Sequence, residues 1–118
     1  MPKITLPDGT SFEAPENKRL VLALEDAGID ILHRCGGNAR CTTCRVVFRA
    51  GEPSVMTRAE RDRLTAGLLV GKVRLSCQIL CRQDMSVEPV YRVSNGDADS
   101  SGDRPADDIT PPAEWVSR

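Results

Sequence analysis

Five cysteines are the residues of this 118-residue chain whose type and spacing could do chemistry. Cys35, Cys41 and Cys44 lie in one short stretch with the spacing C-x5-C-x2-C, and 32 residues separate Cys44 from Cys77. Three thiolates from one loop and a fourth from a distant strand can enclose a two-iron centre. The two glycines after the first cysteine permit positive φ angles, which let backbone N–H groups point toward sulfur. The pattern therefore predicts an iron–sulfur centre.

The segments CGGNARCTTCRV (35–46) and RLSCQ (74–78) resemble the [2Fe–2S] ferredoxins that have the β-grasp fold. The x5 spacing is similar to the branch that includes adrenodoxin and many bacterial ferredoxins, and the resemblance covers roughly residues 3–90. It implies a one-electron carrier, not an enzyme, that works between a reductase and an acceptor enzyme such as an oxygenase or a cytochrome P450. The resemblance also implies four ligands of a [2Fe–2S] cluster, which are Cys35, Cys41, Cys44 and Cys77.

The fifth cysteine, Cys81, leaves a second kind of metal site open. Cys41-x2-Cys44 together with Cys77-x3-Cys81 could form a four-cysteine zinc site. That site would give no role to Cys35 or to the glycines after it, and it would ignore the RLSCQ resemblance. A small buried apolar residue is the simpler interpretation of Cys81, although it could also replace Cys77 as a ligand.

Two other functions stay open for the same fold. The chain could be a redox sensor, or an electron-transfer subunit held permanently in a larger complex. A thioredoxin-like use of Cys41-x2-Cys44 is disfavoured because the motif precedes a predicted strand instead of opening a helix. His33 cannot complete a Rieske-type centre, since that centre needs two histidines and the chain has one. We expect His33 to support the site from outside the ligand set or to lie at the surface.

Composition excludes several classes of protein. With 16 basic and 17 acidic residues the net charge is -1, so the basic excess of a nucleic-acid-binding protein is missing. No apolar run approaches the roughly 18 residues of a membrane span, and the first residues lack the apolar block of a secretory signal. We expect a cytoplasmic monomer without a disulfide framework. Aromatic residues are too few for base stacking: Phe12, Phe48, Tyr91 and Trp115.

Hydrophobic patterning predicts the elements that position the cysteines. Their order predicts an α+β domain with a mixed sheet, one main helix and a cluster-binding loop, which is the order of a β-grasp. The predicted elements are a β-hairpin around Pro7-Asp8-Gly9, a helix over 17–27 that ends at Gly28, strands over 45–49, 72–76 and 85–88, and a short helix that begins with a Thr57-x-x-Glu60 capping box.

The composition changes at residue 93. Residues 1–93 carry 14 basic and 11 acidic side chains, whereas residues 94–118 carry two basic and six acidic ones. The second segment is rich in Ser, Gly, Asp and Pro and has no apolar period, so it has little apolar surface to bury. We therefore predict a [2Fe–2S] ferredoxin-type domain over 1–93 and an acidic, flexible C-terminal tail over 94–118. Trp115 is either part of that tail or an anchor on the domain.

The arginines near the cysteine loop predict a raised reduction potential. Arg34, Arg40 and Arg45 flank the three clustered cysteines. The reduced form of a [2Fe–2S] centre carries one more negative charge than the oxidised form, so nearby cations favour reduction. We expect a potential less negative than the roughly -400 mV of plant-type centres, measured by redox titration. A potential at or below that value would contradict this expectation.

Overall fold

The structure is a computed structural model of the chain, and it describes residues 1–34, 36–40, 42–93, 96, 100, 102 and 104–118. None of the helices formed by these residues has the length and apolar character needed to cross a membrane. The strands are β1 (Lys3–Thr5), β2 (Ser11–Glu13), β3 (Arg45–Ala50), β4 (Val55–Thr57), β5 (Arg74–Leu75), β6 (Met85–Pro89) and β7 (Trp115–Ser117). The helices are α1 (Leu20–Asp26) and α2 (Arg58–Ala66), and a 3₁₀ turn covers Ser76–Gln78.

The main sheet is mixed and has the strand order β2-β1-β6-β3-β5. Strands β1 and β6 are parallel, whereas the other neighbours in this sheet are antiparallel. Helix α1 supplies five consecutive buried residues, Leu20 to Leu24, so it is enclosed by apolar groups on more than one side. This arrangement of hairpin, main helix and mixed sheet confirms the β-grasp fold that the sequence predicts.

Helix α1 begins at Leu20, three residues later than the sequence predicts. Asn17, the expected cap, takes a left-handed conformation with φ 66°. Arg19 forms an antiparallel bridge with Leu80, and the Leu20 N–H donates to the Ile79 carbonyl at 2.8 Å. Pairing with this neighbouring segment keeps the chain extended up to Arg19. The predicted start was therefore wrong, because a contact distant in sequence replaces the local cap.

The predicted ending of α1 is present, and the predicted capping box of α2 is present in part. Gly28 has φ 86°, and the Ile29 N–H donates to the Leu24 carbonyl at 3.0 Å, which is the Schellman ending of a helix. At the start of α2 the Thr57 hydroxyl accepts the Glu60 N–H at 3.1 Å. The Glu60 carboxylate, however, is directed toward strand β5 and not back to the cap, and there it forms a buried ion pair.

The buried ion pair joins α2 to β5. Arg74 Nε lies 2.8 Å from Glu60 Oε2, and the Leu75 N–H donates to the same oxygen at 2.8 Å. Glu60 is 0% exposed and Arg74 is 4% exposed. Burial raises the pKa of the Glu60 carboxyl, while the hydrogen bond and charge of Arg74 act against that rise. The strand predicted over 72–76 is limited to Arg74–Leu75 in the structure, and hydrophobic patterning alone did not predict that Arg74 is buried.

Residues 104–118 lie against the domain. Strand β7 pairs antiparallel with β4, and Pro105 and Ile109 are buried. The Trp115 ring lies 5.4 Å from the Arg82 guanidinium, so the anchor interpretation of Trp115 agrees with the structure. Residues 94, 95, 97–99, 101 and 103 of the predicted tail lie outside the described residues. The flexibility of the tail stays a prediction, and its described C-terminal stretch is docked.

We expect Glu60→Ala to lower the free energy of unfolding by about 3 kcal/mol, because the Arg74 charge then stays buried without its nearest carboxylate. The measurement is denaturant unfolding followed by circular dichroism. The matched control is Glu88→Ala, which removes the exposed Arg49–Glu88 pair and should cost less than about 1 kcal/mol. Equal decreases in the free energy of unfolding of the two variants would show that burial does not make the Glu60–Arg74 pair more stabilising than an exposed pair.

Candidate metal centre

Two of the four predicted ligands lie within the described residues, and the sheet brings them together. Cys44 immediately precedes β3, and Cys77 lies in the 3₁₀ turn after β5. These strands are antiparallel with Arg45 opposite Leu75, so the start of one lies beside the end of the other. The Ser76 hydroxyl and N–H both donate to the Cys44 carbonyl, at 2.8 and 3.1 Å. Cys35 and Cys41 lie outside the described residues.

The two thiols are buried and in contact. Cys44 is 2% exposed and Cys77 is 0% exposed. A hydrogen bond from the Cys44 thiol is the main cause that lowers the pKa of Cys77, and burial opposes it. The Gln78 amide, 3.6 Å from the Cys77 sulfur, the Ala39 N–H and the charge of Arg19 lower that pKa further. These donors favour the thiolate, which is the form of cysteine that binds metal.

The described loop residues, 36–40 and 42–43, include several in the left-handed conformation. Gly37 has φ 83°, and Ala39 and Thr42 have φ 58° and 57°. Positive φ is uncommon outside glycine and is a strained conformation for a β-branched residue. A Cβ on Gly37 would lie 2.7 Å from Arg19 Nη2 and 2.8 Å from the Pro105 Cβ. Close approach therefore requires glycine at residue 37, and its positive φ agrees with the prediction.

The side chains of Arg19 and Gln78 hold the loop by hydrogen bonds, and the sequence patterns did not predict this role for either residue. Arg19 is 0% exposed, and its Nη2 donates to the carbonyls of Gly37 at 2.6 Å and Cys77 at 2.7 Å. The Gln78 amide donates to the Thr110 carbonyl at 2.9 Å and to the Gly37 carbonyl at 3.4 Å. Gln78 stands directly after Cys77 in the RLSCQ segment, so a signal existed for it. Arg19 precedes an apolar run and carries no such signal.

His33 is buried and supports the approach to the loop from α1. Its Nε2 lies 2.8 Å from Glu25 Oε1, and its ring is 0% exposed. Glu25 also accepts a hydrogen bond from Arg104 at 2.7 Å, so it joins His33 to the C-terminal stretch. The sequence allowed either a supporting or a surface position for His33. The structure places it in the interior.

The outer face of the loop is polar and open to solvent. Arg34 and Arg40 are exposed, and Arg45 is half-buried with its guanidinium 5.0 Å from the Tyr91 ring. The Arg45 Nη2 also donates to the Thr42 hydroxyl at 2.8 Å. The loop therefore presents positive charge to a protein that approaches the buried thiols from this side.

Cys81 lies in the hydrophobic core, and it forms no metal-binding group with Cys44 and Cys77 among the described residues. Its N–H donates to the Lys18 carbonyl at 2.8 Å, and burial raises the pKa of its thiol to about 11. In the part of the chain that the structure describes, no three His, Cys, Asp or Glu residues are placed to hold a metal ion. Because Cys44, Cys77 and Cys81 are all described, the structure does not assemble the alternative zinc site. It agrees with the interpretation of Cys81 as a small core residue.

The described half of the site fits a thiolate-bound cluster. It offers two adjacent buried sulfurs, N–H donors directed at one of them, and a curled loop with small residues beside them. Cys44 and Cys77 could hold one side of a metal–sulfur group. Cys35 and Cys41 remain the predicted ligands of the other side.

Comparison with known proteins identifies similar chains. Residues 4–82 match the family model of the 2Fe-2S iron-sulfur cluster binding domain. The 2Fe-2S ferredoxin of Haemophilus influenzae is 35% identical over 94 residues, which cover 75% of this chain and 83% of that protein. The crystal structure of the ISC-like [2Fe-2S] ferredoxin FdxB from Pseudomonas putida has a TM-score of 0.63 and 28% identity, and the match covers 78% of this chain and 95% of that one.

Some relatives are much longer. One component of the Na(+)-translocating NADH-quinone reductase of Shewanella denitrificans is 36% identical over 70 residues, or 59% of this chain. The chain spans 17% of the length of that component. The shared part is thus a segment within a larger protein.

We expect Cys81→Ala to keep the visible absorbance and iron content of the native protein, because the thiol serves only to fill the core. Its cost is about 1 kcal/mol of unfolding free energy from the small cavity. Cys77→Ala should lose most of the iron under the same anaerobic purification. A colourless Cys81→Ala protein beside a coloured Cys77→Ala protein would reverse the assignment of the two residues.

Proposed function

The chain belongs to the family of 2Fe-2S iron-sulfur cluster binding domains and binds a [2Fe–2S] cluster, and on this premise we propose that it is a one-electron carrier and not an enzyme. When bound, the cluster would supply one-electron redox chemistry that needs no bound substrate. The proposed ligands are Cys35, Cys41, Cys44 and Cys77.

The position of the thiol pair is the observation that carries the proposal. Cys44 and Cys77 are buried, yet the loop beside them is partly exposed at Gly36, Asn38 and Thr43. Such a site keeps water from the sulfurs while it lets another protein approach closely. An electron carrier needs both properties, because its redox group must be protected between encounters and accessible during them.

The surrounding residues favour transfer with little structural change. Cys44 is held at the start of β3 by the Ser76 hydrogen bonds, and the 3₁₀ turn that bears Cys77 follows directly on β5. The Gln78 amide and the Ala39 N–H are already directed at the Cys77 sulfur. Donors that are in place before negative charge arrives need not reorganise when it does, by the reasoning that applies to preorganised polar sites in general.

We propose that a reductase supplies the electron. The 118 residues contain neither a G-x-G-x-x-G dinucleotide motif nor a P-loop, so these residues carry no recognisable nicotinamide site. The relative from Shewanella is part of an NADH-quinone reductase, which supports a nicotinamide-linked donor for this chain. The acceptor that we propose is an oxygenase or a cytochrome P450, and the proposed compartment is the cytoplasm, where thiolates stay reduced.

A transient encounter is favoured over a permanent complex. Permanent interfaces are more apolar than transient ones, whereas the loop face carries Arg34 and Arg40. The large apolar side chains that are exposed among the described residues belong to other parts of the chain: Met1, Val55, Leu68, Val70 and Trp115. We therefore propose a diffusing monomer that docks through the basic loop face, with a redox sensor and a permanently bound electron-transfer subunit as the alternatives.

We expect Arg34→Glu to slow electron transfer from the dithionite-reduced chain to an acidic one-electron cytochrome by about tenfold at low salt, because it removes attraction at the loop face. The measurement is stopped-flow absorbance, with one electron delivered per chain. Arg61→Glu makes the same charge change on the exposed face of α2 and should slow transfer much less.

Rising salt should reduce the difference between these two variants, since exposed charges are screened. Equal slowing by both variants would contradict docking at the loop. Failure of the native protein to deliver any electron would contradict the carrier function itself.

A further inference from the structure

Arg19 is a buried charged residue beside the site, and it is not one of the proposed cysteine ligands. It is 0% exposed, although a guanidinium is costly to bury unless its N–H groups are satisfied. Five of its hydrogen bonds end on backbone carbonyls. Nε and Nη2 donate to Cys77 at 3.0 and 2.7 Å, Nη2 to Gly37 at 2.6 Å, and Nη1 to Ala106 at 2.7 Å and to Asp108 at 3.1 Å.

These hydrogen bonds join three segments that are distant in the sequence. One is the 3₁₀ turn with Cys77, the second is the loop at Gly37, and the third is the docked stretch at Ala106 and Asp108. Gln78 makes a parallel connection, since its amide reaches both the loop and the Thr110 carbonyl. The C-terminal stretch is therefore attached to the back of the site and not only to the surface of the domain.

The fork shape of the guanidinium explains why arginine stands here. Its planar N–H groups donate in several fixed directions at once, which one lysine ammonium cannot reproduce at the same positions. Carbonyl oxygens satisfy these donors without supplying a full negative charge. Arginine also stays protonated throughout the working pH range, so a positive charge remains beside the Cys77 backbone.

A permanent positive charge at this place acts on the redox state. The reduced [2Fe–2S] site carries one more negative charge than the oxidised site, and a buried charge is screened far less than a surface charge. Arg19 Nε and Nη2 lie 3.0 and 2.7 Å from the Cys77 carbonyl oxygen, so the buried charge stands directly beside the turn that bears this thiol. Arg34 and Arg40, in contrast, are exposed to solvent.

We propose that Arg19 is the positioning residue of the cluster site: its guanidinium clamps the Cys77 turn, the Gly37 loop and the C-terminal stretch together, and its buried charge raises the reduction potential. The proposal rests on the [2Fe–2S] electron-carrier function above. It assigns to one residue outside the cysteine set both the geometry of the loop and part of the energetics of electron uptake.

The test uses Arg19→Gln and Arg19→Lys in the full chain, purified anaerobically, with Arg49→Gln as the control. Arg49 is a strand residue of β3 whose side chain is 60% exposed. Reduction potentials are measured by redox titration on protein whose iron content has been checked. We expect Arg19→Gln to lower the potential by at least the equivalent of a tenfold change in the ratio of reduced to oxidised protein, which is about 59 mV for a one-electron couple.

Arg19→Lys separates charge from geometry. It keeps the positive charge, so its potential should stay within a threefold change of that ratio from the native protein. It loses the fork, so its cluster should be lost to an iron chelator at least fivefold faster than that of the native protein. Arg49→Gln should match the native protein in both measurements.

Three results would overturn the proposal. An Arg19→Gln protein with the potential of the Arg49→Gln control would refute the electrostatic part, and an Arg19→Lys protein as resistant to chelator as the native one would refute the clamp. If Arg19→Gln takes up no cluster, the electrostatic part is tested on Arg19→Lys, which keeps the positive charge. A reduction potential of Arg19→Lys as low as that of plant-type centres would refute that part. A native protein without any one-electron couple would instead refute the proposed function.

Discussion

The burial of the Cys44 and Cys77 thiols is the constraint on which the rest of the site depends. Sulfur that must carry negative charge is expensive to remove from water unless donors and positive charge replace the solvent. The chain supplies them from three directions: the Ala39 N–H from the loop, the Gln78 amide from the 3₁₀ turn, and the Arg19 charge from the start of α1. The sheet register, the left-handed loop residues and the docked C-terminal stretch all serve to keep these groups in place.

The buried polar contacts form a frame that extends well beyond the thiols. Strand β5 has only two residues, and Glu60 holds both of them, Arg74 through its guanidinium and Leu75 through its N–H. Because the turn with Cys77 follows β5 directly, helix α2 takes part in positioning Cys77. Arg19 does the same from α1. The hydrogen bonds that satisfy each buried charge also hold the segment that bears Cys77 in place. These polar residues of the core therefore have a role in the geometry of the site.

Local signals in the sequence predicted much of the fold, and contacts between distant segments account for the rest. The hairpin, the helix ending at Gly28 and the Thr57 cap depend on neighbouring residues, so the local sequence predicted them. The burial of Arg74 and Arg19 could not be predicted in this way, because their hydrogen-bond partners lie on other elements. The docked stretch 104–118 is poor in apolar residues, and its attachment uses main-chain carbonyls and a short strand, which composition does not report. For the site, the cysteine pattern predicted the metal centre. It did not predict that the Arg19 and Gln78 side chains hold the loop beside it.

Iron and acid-labile sulfide content, with visible spectra before and after dithionite, is the measurement that tests the central claim most directly. Protein purified anaerobically should be red-brown, contain about two irons and two sulfides per chain, and bleach on reduction. A colourless protein with about one zinc per chain would contradict the account, because zinc has no redox chemistry and the chain would then hold no group that carries an electron.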